Sequence, residues 1–382
     1  MEPLSSGQIF VQVIAQFTPV WIALILFMGA SAVFKKRLSL YGRLYDSPIG
    51  MVGLALVLFW VFTALMADWV APFDHLDQFR ALKNKPPGMI EEESGLAFLF
   101  GGDNLGRDVF SRMVYGSQTV MAIAPVATLF AFIVGIALGL PAGYYGGYFD
   151  TVLSFLANLV LAFPVILLFF LLVTPEIRST PIPGTMAAVL FLIPILFFAV
   201  FIYSRFSTRP DTLAMYLIPT LLIGLFCYVH LTNLWTPLGV WMDANRLNIF
   251  VSVVFVNSPT VFRIVRGLTM DIKTRDYVAA AQTRGEGPWY IMMWEILPNA
   301  RGPLIVDACL RIGYTTILLG TLGFFGLGVS PESADWGMTI NEGRKLLRLF
   351  PWAALPPALA IMTLVLGLNL LADGLREQSL KD

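Results

Sequence analysis

Charge is scarce in this chain: Asp, Glu, Lys and Arg make up 13% of its 382 residues, against 57% for the AVILMFWYC set. A water-soluble domain of this size could not hide so much apolar side chain, so lipid is the solvent. Formal net charge is zero and no basic or acidic tract occurs, which excludes nucleic-acid binding through phosphate neutralisation. Cysteine and histidine are almost missing. Cys227, Cys309 and His230 sit in or at the edge of apolar runs, and neither a disulfide framework nor a zinc cluster can be built from them. There is no G-x-x-x-x-G-K-[ST] phosphate loop and no other cluster that could cradle a nucleotide. No catalytic, cofactor-binding or metal residue is assigned, and the chain is expected to perform no chemistry itself.

What is abundant is apolar sequence in long runs. About 20 such residues cross roughly 30 Å of hydrocarbon as a helix, at about 1.5 Å per residue. Nine stretches qualify, near 9–32, 48–70, 118–142, 151–173, 184–204, 212–234, 247–266, 301–328 and 351–372. The sequence therefore predicts an all-α fold, a polytopic transmembrane helical bundle of about nine helices. The opening MEPLSSGQ holds no lysine or arginine, and the run from Ile9 to Ser31 is too long for a signal-peptide core, so it reads as a retained helix. Lys35, Lys36, Arg37 and Arg43 follow it and are placed in the cytoplasm by the positive-inside rule. The N-terminus is then outside and the C-terminus cytoplasmic. Arg205, Arg209, Arg263, Arg266, Lys273, Arg275 and Arg284 also fall inside, while the segment from Ala71 to about Gln118 falls outside. The helices near 184–204 and 212–234 are joined by the short polar turn from Arg205 to Asp211. A hairpin inserted whole reverses no later helix, so this pair reads as an accessory element.

The most informative loop is Asp276-Tyr277-Val278-Ala279-Ala280-Ala281-Gln282-Thr283-Arg284-Gly285, followed by Glu286 to Glu295 and Ile296-Leu297-Pro298-Asn299. It predicts a short alanine-rich helix, a glycine that breaks it, a second amphipathic helix and a proline-marked return to the membrane. Alanines 279, 280 and 281 leave the first helix with a thin face, able to lie in a groove on another protein.

This loop resembles the cytoplasmic loop of ABC importer permease subunits, which carries E-A-A, three spacers and glycine, with a proline-bearing segment farther on. Ala280, Ala281, Gly285, Ile296 and Pro298 match, and Ala279 stands where the pattern has glutamate. The resemblance implies that Asp276, Tyr277, Val278, Ala279, Ala280, Ala281, Gly285, Ile296, Leu297 and Pro298 form a coupling element that docks on an ATPase subunit and transmits its closure. The missing carboxylate puts one salt bridge in doubt, not docking. Gly102-Asp-Asn-Leu-Gly-Arg-Asp-Val-Phe-Ser-Arg112 with Tyr115-Gly-Ser, Gly143 to Asp150, Phe324 to Gly328, Asp335-Trp-Gly337 and Leu368 to Arg376 resemble the C-type permease of dipeptide and oligopeptide importers. The match runs over about 48–174 and 247–376. It implies a type I ABC importer permease core at 48–382, with a coupling loop at 267–300, an inserted helical hairpin at 175–246 and an extra N-terminal transmembrane helix with its basic loop at 1–47. The same resemblance implies a sister permease subunit in a heterodimer, two ATPase subunits or domains holding ATP and Mg, and an extracytoplasmic substrate-binding protein. It places the chain in a bacterial or archaeal inner membrane with peptides as cargo, although related permeases serve nickel, opines or oligosaccharides. A stand-alone secondary transporter is the rival reading, opposed by the scarcity of buried acids and the lack of a visible inverted repeat.

Several residues carry physical expectations of their own. Gly135, Gly139 and Gly143 recur at every fourth position, a small-xxx-small pattern for close helix contact. Asp307 and Arg311 lie four apart, where each is expected to neutralise the other inside the bundle, and Arg311 is also a candidate for the substrate path. Asp103 is expected to cap an amphipathic surface helix carrying Val109, Phe110, Met113 and Val114, with Arg107 and Arg112 facing water or headgroups. Pro164, Pro194 and Pro219 are expected to kink apolar helices.

Overall fold

The computed structural model describes residues 3–37, 39–232, 244–327, 333–345 and 347–379. Among them seven helices are long and apolar enough to cross a bilayer, or nine if each of two bent pairs is one span. The bundle is thus all-α and polytopic, as the apolar runs predict. The end of the predicted span 212–234, Gly328, and residues 233–243 at the close of the hairpin region lie outside the described residues.

The first bent pair is α1 (Ser6–Gln16) and α2 (Thr18–Val33), which meet at 50°. Ser5 and Gln8 form a capping box at the start of α1, and a proline in the first turn of α2 removes a donor from the ladder at the bend. Next comes α3 (Pro48–Leu65), whose first turn is capped by the Ser47 hydroxyl accepting from the Gly50 N–H at 3.3 Å. A short ribbon, β1 (Met89–Ile90) antiparallel to β2 (Ala97–Phe98), follows, with Phe98 in a small cluster with Phe73 and Leu82. Helix α4 (Val109–Tyr145) is 37 residues long and starts well before the predicted residue 118.

The second bent pair is α5 (Gly147–Leu161) and α6 (Val165–Val173), turned by 82°. Pro164 sits at the break as the residue before α6, so it divides the predicted span 151–173 instead of kinking it. Pro194 and Pro219 do lie inside helices, in α7 (Ile182–Phe206) and α8 (Pro210–Leu231). The remaining helices are α9 (Ala244–Ile272), α10 (Asp276–Thr283), α11 (Leu297–Phe324), α12 (Trp336–Arg344) and α13 (Leu355–Ser379).

The chain forms two compact units, Met1–Pro125 with Cys309–Asp382, and Val126–Ala308. Within the first, α3 and α13 approach through glycines. A Cβ on Gly53 would lie 2.7 Å from the Leu370 carbonyl carbon, and one on Gly374 2.9 Å from the Gly50 nitrogen, so only glycine permits this backbone contact. Within the second, Gly139 and Gly143 of α4 face α9: added Cβ atoms would lie 2.9 Å from Val265 Cβ and 2.7 Å from the Arg266 carbonyl oxygen. The glycine repeat is a packing face.

Candidate functional site

Helix α10 has two unlike faces. Val278 and Ala281 are buried, whereas Asp276, Tyr277, Ala279, Ala280, Thr283 and Arg284 are exposed. At 3.6 residues per turn, positions 277, 280 and 284 share one line and 276, 279 and 283 the next. The thin alanine surface is therefore open, while the buried pair anchors the helix in a cluster with Ile272, Ile291, Met292, Met293 and Ile296. Burying a valine side chain contributes about 1.5 to 3 kcal/mol, which is substantial for an eight-residue helix.

Gly285, at φ +84°, ends α10. The Glu286 N–H donates to the Ala281 carbonyl at 3.2 Å and the Gly285 N–H to the Gln282 carbonyl at 2.9 Å, the bond pair of a Schellman cap. Arg284 then reaches Glu295 at 3.0 Å. Both side chains are partly exposed, so this pair contributes only about 0 to 1 kcal/mol.

The expected second amphipathic helix between Glu286 and Glu295 does not stand alone. From Pro288 the chain is helical without a break to Phe324, through Pro288–Tyr290 and a π-helical turn at Ile291–Ile296. In that turn the Leu297 N–H donates to the Met292 carbonyl, five residues back. The wide turn directly precedes Pro298, whose ring would clash with the Trp294 carbonyl in an α-helical register. Ile296 lies in the core beneath α10, Leu297 is half-buried and Pro298 exposed. The exposed thin surface therefore belongs to α10 alone, with Ile296 supporting it from below.

The Gly143 to Asp150 motif meets the same end of this unit. Lys273 donates to the carbonyls of Gly143 at 2.8 Å and Tyr144 at 3.3 Å, the C-terminal carbonyls of α4 that carry partial negative charge. Arg266 pairs with Asp150, one guanidinium nitrogen lying 2.6 Å from Oδ2. These bonds fix the α4–α5 turn to the end of α9, three residues before α10 starts.

Two more motifs converge in the other unit. Val109, Phe110, Met113 and Val114 are buried in the first turns of α4, so no separate surface helix forms. Arg107 and Arg112 are likewise buried, not directed to water or headgroups. The cap is Asp108, which accepts from the Ser111 N–H at 2.8 Å. Asp103 instead accepts from the N–H groups of Leu105 and Arg107 at 2.8 and 2.9 Å and pairs with the Arg107 guanidinium at 2.6 Å. Arg107 also pairs with Glu342. Arg112 donates to the carbonyls of His75 and Ser333 at 3.3 Å. From the Asp335-Trp-Gly337 motif, the buried Trp336 indole donates to the Met113 carbonyl at 2.7 Å, and Asp335 caps α12 by accepting from the Met338 N–H at 3.0 Å. Burial drives the Asp335 carboxyl upward and pushes Asp108 up to about 7. Nothing in the sequence singled out Glu342, 235 residues from Arg107, or the α12 helix that carries it.

Asp307 and Arg311 lie one turn apart on α11, half-buried and buried respectively. Among the described residues no group of three His, Cys, Asp or Glu side chains could hold a metal ion.

Residues 205–379 match the family described as the binding-protein-dependent transport system inner membrane component, and residues 40–87 match the N-terminal TM domain of oligopeptide transport permease C. The chain is 30% identical over 326 residues to the di/tripeptide transport system permease protein DppC of Pseudomonas aeruginosa, covering 85% of each chain. It is 29% identical over 327 residues to the dipeptide transport system permease protein DppC of Haemophilus influenzae, covering 86% of this chain and 88% of that one. Identity to the glutathione transport system permease protein GsiD of Escherichia coli is 28% over 341 residues, with 88% and 87% covered. Together with the helical bundle and the motif pairs it joins, this places the chain in the family of binding-protein-dependent transport system inner membrane components, the permease subunits of ABC importers.

Proposed function

We propose that this permease carries short peptides, and that α10 is the coupling helix through which partner ATPase subunits, holding ATP and Mg, drive it. The observation that carries the coupling assignment is the division of α10 into a buried anchor, Val278 and Ala281, and an exposed thin face, Ala279 and Ala280. A docked partner meets backbone-close alanines, and its displacement passes through the anchor into the π turn and α11. Ala279 in place of a carboxylate leaves this shape contact intact. ATP binding closes the ATPase pair, moves α10 as a rigid body and opens the path outward; hydrolysis resets it.

The machine needs a sister permease, two ATPase subunits or domains, and an external binding protein that delivers cargo. Residues 1–47 and 175–246 are additions to the permease core, the N-terminus lies outside and the C-terminus in the cytoplasm. Peptide cargo is supported by the names of the relatives, which include dipeptide, di/tripeptide and glutathione permeases.

Uptake in cells deleted for the chain tests the cargo. Labelled di- and tripeptides should lose entry and regain it with the wild-type chain but not with Ala280→Arg, which fills the thin face. Unchanged peptide uptake together with lost entry of nickel, an opine or an oligosaccharide would reassign the cargo.

A further inference from the structure

Helix α7, the first of the hairpin, ends against the π turn that follows α10. Trp294 of that turn is held by three hairpin side chains. Its indole N–H donates to Ser204 Oγ at 3.1 Å, its ring lies 4.9 Å from the Phe201 ring, and the Arg205 guanidinium sits 4.9 Å above its centroid. Arg205 also donates to the Tyr290 hydroxyl at 3.4 Å. Deeper in, Phe197, Val200 and Phe201 pack against the same apolar cluster that anchors Val278 and Ala281 of α10.

Lipid-facing packing does not need this arrangement. Trp, Tyr and Arg at a membrane boundary find partners among headgroups, yet here they are paired with one another, and the buried Ser204 hydroxyl accepts the Trp294 donor directly. The π turn interrupts the α-helical ladder at the α11 entry, its closing bond from Leu297 to Met292 spanning five residues, a feature found mostly as single turns at functional sites. A contact from a second helix at that point restores stiffness where docking forces enter. The second hairpin helix, α8, shows the contrast: its apolar window is wholly unburied, so the grip belongs to α7.

We infer that the hairpin is a brace for the coupling element: Phe201, Ser204 and Arg205 are positioning residues that hold Trp294, and through the π turn they make α10 and the end of α7 move as one body. This rests on the coupling role of α10. Without the brace, movement of α10 is absorbed by the π turn before it reaches α11, and ATP is hydrolysed with less transport.

The test uses the complex purified from native membranes, reconstituted in vesicles with its binding protein, reading peptide moved and ATP hydrolysed in one sample. The Ser204→Ala/Arg205→Ala double variant keeps its ATPase but loses about fivefold to tenfold in peptide moved per ATP, the scale of one or two lost hydrogen bonds. Ser204→Thr, which retains the acceptor hydroxyl, keeps the wild-type ratio, whereas its near-isostere Ser204→Val, which lacks it, does not, a split that a merely space-filling role would not give. If the double variant fails to accumulate, Trp294→Phe, which keeps an aromatic ring but loses the indole N–H and the volume of its five-membered ring, replaces it and should lower the ratio at least about threefold. A wild-type ratio in whichever variant accumulates overturns the brace. Ala280→Arg separates the two levels: if it neither releases the ATPase nor lowers transport, the coupling role of α10 itself falls, whereas its failure beside a normal double variant overturns the brace alone.

Discussion

Gly285 isolates the backbone contribution to α10. Its φ is +84°, and a Cβ added there would meet nothing within 4 Å. Gly285→Ala therefore removes no contact and creates no clash; its whole effect comes from forcing an L side chain into the left-handed region, at about 1 to 2 kcal/mol. At about 1.4 kcal/mol per factor of ten, the ratio of capped to uncapped loop falls about fivefold to thirtyfold. The bonds at risk are those from Glu286 to Ala281 at 3.2 Å and from Gly285 to Gln282 at 2.9 Å. Docking weakens by up to the same factor, because only the capped loop presents α10 correctly. Titrating the purified ATPase against nanodisc-embedded permease reads this directly. Asparagine tolerates the left-handed region better than alanine, so affinity should rank Gly, Asn, Ala. An alanine variant as tight as wild type, or an asparagine variant weaker than alanine, would refute the backbone argument.

Other perturbations are equally specific. Gly139→Leu forces atoms into α9, where a Cβ alone would already lie 2.9 Å from Val265; overpacking of this kind costs about 1 to 3 kcal/mol or more and should lower membrane abundance, with Gly139→Ala milder. Glu342→Ala strips one of the two carboxylates from the buried Arg107 and should cost about 1.5 to 3 kcal/mol, visible as a lower melting temperature in detergent. Arg284→Ala breaks a part-exposed pair with Glu295 and should change docking by less than about 1 kcal/mol. Asp108, held near 7 by burial, binds its proton more tightly folded than unfolded, so its contribution to stability is present at low pH and lost as pH rises from roughly 4 through about 7. Asp108→Asn keeps an acceptor for Ser111 and should flatten the fall in melting temperature over that window; an unchanged slope would remove Asp108 as its source.

Periodicity and apolar length made the bundle legible, because lipid forces every span to satisfy its own backbone and so to declare itself as a run. The short alanine-rich helix ended by Gly285 was equally readable, since its cap is encoded within ten residues. What local sequence did not disclose was chiefly long-range. Arg107 and Arg112 read as surface charges because Glu342 and the Ser333 carbonyl, which join the nearer Asp103 and His75 in burying them, are more than 200 residues away. The apolar spacing from Val109 to Val114 gave no sign that it was already part of α4, because such spacing is the same for a surface helix and a buried one. Pro164 and Pro194 look alike in sequence, yet one divides a span by 82° and the other stays inside α7. The π turn before Pro298 has a local cause, but a proline can be met by a kink, a break or a wide turn, and packing selects among them. The grip of Ser204 and Arg205 on Trp294, some 90 residues apart, was invisible for the same reason as the partners of Arg107 and Arg112.

The most direct test of the account is affinity purification of this chain from its native membrane, beside Ala280→Arg, scoring co-purified proteins and ATP hydrolysis. The account predicts that an ATPase and a second permease accompany the wild type, and that the ATPase and its activity are lost from the variant while the second permease remains. A chain that purifies alone and drives solute across vesicles on an ion gradient would contradict it.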